Sequence, residues 1–181
     1  MLNKRPKYKT PGLPKAQGLY NPTNEHDACG VGMVVDIQNR ASYDIIEKGL
    51  AMLCNLEHRG AVGADPKAGD GSGLLIQIPH KFLKKIVAPE FSLPDIGNYA
   101  VGVIFMPKEY SAQKKIKDLI KKTCLQEEIN ILGWRICPTY TGDLGWSVLP
   151  STPDVFQLFL ERPDNQKTQD DFERKLYILR R

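Results

Sequence analysis

The chain has 181 residues, 41% of them hydrophobic and 25% charged, the balance of a soluble globular domain with enough length for a sizeable core. Its net charge of +4 is mild, and much of the excess falls early, at Lys4, Arg5, Lys7, Lys9 and Lys15. That excludes the basic, aromatic-bearing face of a nucleic-acid binder. No apolar run approaches the roughly 18 residues of a membrane span, and the leader lacks the apolar stretch of a secretory signal.

Residues 1–28 carry Pro6, Pro11, Pro14 and Pro22 with few large apolar side chains. They read as an extended leader or a removable propeptide. Gly30 to Ile37 is apolar and β-branched, so it reads as a buried strand. Ser42 is placed to cap a helix running to about Glu57, with Ile45, Ile46, Gly49, Leu50, Leu53 and Leu56 inward. Cys54 falls beside that stripe and is expected in the core, and Gly60 is a candidate helix stop. Residues 60–73 form a glycine-rich loop carrying Asp65 and Asp70.

Gly73 to Pro79 reads as a second strand. His80 to Val87 reads as a short helix with Phe82, Leu83, Ile86 and Val87 inward. Tyr99 to Met106 is a third strand. A basic helix from Ser111 turns Ile116, Leu119, Ile120 and Thr123 inward and its lysines, Lys117 among them, to solvent. Asn130 to Cys137 and Val155 to Glu161 are further strands, separated by turns over 138–154. Thr168 and Asp171 resemble a capping box. Phe172, Leu176 and Leu179 then recur at helical spacing in a helix still running at Arg181. Such alternation, taken alone, points first to a doubly wound parallel sheet.

Four widely spaced cysteines, Cys29, Cys54, Cys124 and Cys137, suit reduced thiols in a cytoplasmic protein better than a disulfide framework. Cys29 stands out by position, with a polar leader before it and Gly30 and Gly32 after it. Cleavage of the Ala28–Cys29 bond would put a thiol and an α-amine on one residue. The thiol attacks and the amine carries the proton, helped by an ordinary amine pKa of about 7.7–8.0. A zinc set of His26, Cys29, Cys54 and His58 is the competing reading, with less regular spacing than paired zinc motifs. A Cys–His hydrolase would draw its base from His26, His58 or His80, and no companion motif selects one. Gly69-Asp70-Gly71-Ser72-Gly73 lacks the lysine ending of a phosphate-binding loop, so it reads as a tight turn-rich loop. Arg59 is placed to pair with a substrate carboxylate.

Three segments together resemble one family: Glu25-His26-Asp27-Ala28-Cys29-Gly30-Val31-Gly32-Met33, Leu56-Glu57-His58-Arg59-Gly60-Ala61, and Gly69 to Gly73. They are similar to the class II glutamine amidotransferase domain at the N-terminus of the glutamate synthase large subunit. Leu132-Gly133-Trp134-Arg135 and Phe172-Glu173-Arg174-Lys175-Leu176-Tyr177 agree. The resemblance covers roughly residues 19–181. It implies an α+β N-terminal-nucleophile hydrolase, a four-layer αββα sandwich with antiparallel sheets, here incomplete at the C-terminus. Residues 1–28 would be the propeptide and 29–181 the first part of the domain.

The resemblance further implies that Cys29 attacks the side-chain amide of glutamine, forms a glutamyl thioester and releases ammonia. Arg59 matches a position near the nucleophile and is assigned site support. No metal and no cofactor is expected in this segment. FMN and an iron–sulfur cluster are expected in the complete enzyme, where ammonia meets 2-oxoglutarate. Expected partners are glutamine, the flavin-bearing synthase domains of the parent chain, and a small NADPH-oxidising subunit or ferredoxin. The family's oxyanion Asn-Gly pair and its downstream arginine motif do not occur in residues 1–181. Loss of one oxyanion donor costs about 10²–10³ in rate, so the piece taken alone is expected to be nearly inactive.

Overall fold

A computed structural model describes residues 15–19, 21, 30–56, 64–69, 71–165 and 168–181. The chain forms two compact units, one of Met1–Val62 with Gly69–Leu74, the other of Gly63–Ala68 with Leu75–Arg181.

Among the described residues of the first unit the regular element is helix α1, Tyr43–Asn55. Ser42 takes the N-cap position in extended conformation, as the sequence suggests, but its hydroxyl makes no capping bond. The inward stripe is Ile45, Ile46, Gly49, Met52, Leu53 and Leu56, the i, i+3, i+4, i+7 spacing of one helical face. Leu50 and Cys54 were expected on it and are exposed instead. Each sits one residue past a stripe member, Gly49 or Leu53, which on a helix is a turn of about 100° away from the core.

The expected strand at Gly30–Ile37 is absent, because the segment pairs with no strand among the described residues. Val31, Met33, Val35 and Ile37 are all exposed. An alternating apolar run marks a segment suited to pairing, and a strand exists only where a neighbour takes its amides and carbonyls. The segment ends in a turn closed on Asp36, whose Oδ1 accepts from the Gln38 amide at 2.7 Å and whose carboxylate binds Arg40 at 3.0 Å. Arg40 holds the Asp36 carboxyl below its usual range.

The second unit is built on a three-stranded sheet in the order β1-β3-β2, with β1 Tyr99–Met106, β2 Asn130–Ile136 and β3 Asp154–Glu161. Both pairings are antiparallel, Tyr99 opposite Glu161 and Asn130 opposite the same residue. This corrects the doubly wound parallel expectation. Helix α3, Tyr110–Gln126, does return the chain to run parallel to β1. But β3 then inserts between β1 and β2, which alternation of elements cannot reveal. The expected strand at Gly73–Pro79 also pairs with no strand among the described residues, and Leu75 and Ile78 are exposed.

Alternate residues of β3 face opposite sides. Phe159 joins Leu83, Val87, Leu93 and Tyr99 under helix α2, His80–Val87. Leu158 and Leu160 join Cys124 and Ile129, with Ile120 of α3 and Leu176 and Leu179 of α4, Gln169–Arg180, packed on them. On the α2 side only part of β1 is covered, so Val103 and Phe105 are exposed beyond Tyr99 and Val101. Phe82, expected inward, is exposed too, because Leu83, Ile86 and Val87 already fill the i, i+3, i+4 face.

On α3 the buried residues are Gln113 and Cys124, while Leu119 is exposed. Ile116, Ile120 and Thr123 are half-buried as expected, and the stripe adds Gln113 and Cys124 in place of Leu119. The Gln113 side-chain amide donates to the Pro107 carbonyl at 2.7 Å and to Asp154 at 2.8 Å, which meets the need of a buried polar group. Lys114, Lys115, Lys121 and Lys122 face solvent as expected. Lys117 does not, because its ammonium lies over the Phe156 and Trp134 rings at 4.5 and 5.3 Å. Half of the capping box of α4 is formed: the Asp171 amide donates to Thr168 Oγ1, while the Asp171 carboxylate accepts from the Thr168 hydroxyl where a full box would have it accept from the Thr168 amide. That hydroxyl holds the Asp171 carboxyl low.

Candidate functional site

Helix α1 gathers the chain around the three motifs. Gly30 lies one residue past Cys29, and a Cβ there would stand 3.0 Å from Leu56 Cδ2. Leu56 in turn lies three residues before Arg59. At Gly32 a Cβ would come within 2.1 Å of Met52 Sδ, so any side chain at that position displaces Met52. At Gly49 it would meet Leu74 Cδ1 at 2.9 Å, just beyond Gly69–Gly73. Glycine at these positions lets backbone and helix approach without a side chain between them. The flanks of all three motifs therefore pack on one face of one helix, within the first unit.

The candidate residues Cys29 and Arg59 lie outside the described residues, as do Ala28, His26, His58 and Gly60. Of the alternative zinc set only Cys54 is described. It is exposed on α1. Among the described residues no group of three or more His, Cys, Asp or Glu side chains is placed to hold a metal ion. His80, weighed as a base, begins α2 and has Nδ1 3.0 Å from the hydroxyl of Tyr99. Burial pushes the Tyr99 hydroxyl above its ordinary pKa.

The described thiols, Cys54, Cys124 and Cys137, are free of disulfides. Cys124 is 1% exposed, and burial raises its pKa. A buried thiol held in the protonated form is a poor nucleophile. Cys137 sits near Arg135, whose guanidinium also donates to Gln157 at 2.9 Å.

The glycine-rich loop holds a feature that sequence reading left unassigned. Asp65 is 6% exposed. Its Oδ2 accepts from the amide and the hydroxyl of Ser147, at 2.9 and 2.7 Å, and its Oδ1 from the Lys67 amide at 3.1 Å. Those bonds, the Ser147 amide first, hold its carboxyl below the usual range. Gly145 lies so close that a Cβ there would stand 2.3 Å from Oδ2. Gly71, with φ +86°, supplies the left-handed backbone expected of a tight loop. No helix among the described residues is long and apolar enough to cross a membrane.

Comparison with known proteins gives the site its context. The pattern of the family described as "Glutamine amidotransferases class-II" matches residues 29–181, beginning at Cys29. The chain is 43% identical over 169 residues to the glutamate synthase [NADPH] large chain of Bacillus subtilis, covering 93% of this chain and 11% of that one. It is 37% identical to the glutamate synthase [NADH] of Saccharomyces cerevisiae, covering 93% and 8%. To the chloroplastic ferredoxin-dependent glutamate synthase of rice it is 35% identical, covering 92% and 10%. The chain thus spans about a tenth of the length of the curated relatives it matches.

Proposed function

We propose, since the chain belongs to the class-II glutamine amidotransferases, that it is the N-terminal glutaminase part of a glutamate synthase, with Cys29 as the nucleophile. Removal of residues 1–28 frees the Cys29 α-amine. The thiol gives its proton to that amine and attacks the side-chain carbonyl carbon of glutamine. The tetrahedral adduct collapses as the amine returns the proton to the departing nitrogen. Ammonia leaves and a glutamyl thioester remains, which water cleaves to glutamate and free thiol. Arg59 supports the site. The observation that supports this reading best is the packing of all three motif flanks on α1, at Gly30, Gly32 and Gly49.

In the parent enzyme the ammonia goes to the synthase domains. There 2-oxoglutarate, ammonia, two electrons and two protons give glutamate and water. FMN and an iron–sulfur cluster belong to those domains in this reading, and none of the residues described is assigned to them. The relatives' names include NADPH, NADH and ferredoxin, so a small NADPH-oxidising subunit and ferredoxin are both proposed donors. Residues 29–181 contribute to a four-layer αββα sandwich in a cytoplasmic enzyme. The antiparallel sheet with helices packed on it supports that placement.

A glutamine analogue with a diazoketone in place of the side-chain amide tests the assignment. The thiol proton passes to the diazo carbon, the thiolate attacks that carbon, dinitrogen leaves, and the rest of the analogue stays on sulfur as a thioether. Peptide mass mapping of the parent enzyme is expected to find the adduct on Cys29. An adduct on Cys54, Cys124 or Cys137, with Cys29 unmodified, would contradict the proposal.

A further inference from the structure

Strand β1 carries no charged residue from Tyr99 to Met106. An antiparallel strand with one wet face alternates apolar and polar side chains. A strand apolar on both faces is suited to cover on both. One face of β1 is covered, where Ile104 packs with the cluster under α3 and α4. On the opposite face the cover of α2 reaches Tyr99 and Val101 and stops. Val103 and Phe105 follow, 55% and 69% exposed.

The register carries this open area across the sheet. Val103 lies opposite Gln157, and Gln157 opposite Arg135. Phe105 lies opposite Val155, whose carbonyl accepts from the Cys137 amide at 2.8 Å. Of these six side chains Arg135 alone is charged. Its guanidinium donates to Gln157 Oε1 at 2.9 Å and lies 3.8 Å from Cys137 Sγ. Among the described residues no carboxylate forms an ion pair with it. Water satisfies an open arginine. An arginine under apolar side chains needs an acid, because a buried unpaired charge is costly. The cover that suits this face is therefore apolar, with one carboxylate set to meet the guanidinium fork.

We propose that the open part of this face is a docking surface for a segment of the parent chain beyond residue 181, which lays apolar side chains on Val103 and Phe105 and pairs an aspartate or glutamate with Arg135. This rests on the glutamate synthase reading, in which the chain spans about a tenth of the length of its relatives. A covalently linked segment meets the face at a higher effective concentration than a second copy does. In residues 1–181 by themselves the face is open, so Phe105 contributes little to stability there. In the parent it is covered.

The test puts a photoreactive benzoylphenylalanine in place of Phe105 in the full parent enzyme. After irradiation and digestion, the crosslinked peptide is expected to come from the same chain beyond residue 181 and to contain an aspartate or glutamate. A crosslink within residues 1–181, a crosslink between two copies, or no crosslink overturns the inference. The second measurement is the rate at which N-ethylmaleimide labels Cys137, mapped by peptide mass. Arg135→Glu is expected to raise that rate at least about tenfold, because repulsion of the docked carboxylate opens the face. Loss of a cation beside the sulfur would by itself disfavour the thiolate and slow labelling, so a rise reports opening. Changing the crosslinked acid to lysine is expected to restore slow labelling in Arg135→Glu. An unchanged Cys137 rate overturns the pairing. Cys124, buried in the core, is expected to stay unlabelled. If Arg135→Glu unfolds and Cys124 is labelled too, the crosslink decides alone. The diazoketone label is read on the same preparation. Cys29 labelled without the crosslink removes the docking surface alone, and the crosslink without a label on Cys29 removes the glutaminase reading alone.

Discussion

Replacing Cys29 with alanine is expected to lower glutamine-dependent ammonia release by the parent enzyme at least about 10⁴-fold, the scale seen when a covalent nucleophile is removed. The thioester route needs sulfur at that position, and what remains is binding of glutamine without attack. Synthesis of glutamate from added ammonia and 2-oxoglutarate is expected to persist, because it bypasses the glutaminase step. That pairing separates loss of the nucleophile from loss of the fold, which would lower both activities together. Assays of both activities on one preparation check it. Glutamine-dependent activity within about tenfold of the wild type would remove Cys29 from the mechanism.

The second large effect concerns stability. Phe159 is 0% exposed at the centre of β3, the strand paired on both sides. Its ring lies 5.2 Å from that of Phe91, centroid to centroid. Phe91 in turn fills the space over Gly133, where a Cβ would stand 2.3 Å from its ring. No small shift refills the hole left by removing Phe159, because β1 and β2 hold β3 in register. Phe159→Ala is expected to cost about 3–5 kcal/mol. Phe105→Ala, on the exposed end of the same sheet face at 69% exposure, is expected to change stability by about 0.5 kcal/mol or less. Urea unfolding followed by tryptophan fluorescence compares them. Equal losses in the two variants would contradict the placement of the core.

Much of the second unit is legible in the sequence. Helix α2 and strand β1 fall at the expected residues, His80–Val87 and Tyr99–Met106. There the periodicity is strong and the flanking prolines, Pro79 and Pro107, are clear punctuation. What sequence periodicity does not carry is partnership. Gly30–Ile37 and Gly73–Pro79 have strand composition but no paired neighbour among the described residues. For the same reason the position of β3 between β1 and β2 had to come from the structure. Cys54 lies one residue of helical phase off the buried stripe. Gln113 is buried, and an amide gives no apolar signal in a sequence.

The site divides in the same way. Cys29 and Arg59 stand out in sequence through motif and position, and both fall outside the described residues. Asp65 is visible as one carboxylate in a glycine-rich loop, but its partner Ser147 is 82 positions away. Nothing local marks the pair. The one available sign was Gly145 beside Ser147, a glycine whose need becomes clear only when the Asp65 carboxylate is seen against it.

The proposed mechanism requires Cys29 to work as a free N-terminal residue. Intact mass and N-terminal sequencing of the active parent enzyme test it most directly. A mature chain beginning at Cys29 is expected, with Ala28 and everything before it removed. A fully active enzyme whose chain still begins at Met1 would contradict it, because an acylated Cys29 nitrogen is an amide and cannot carry the proton.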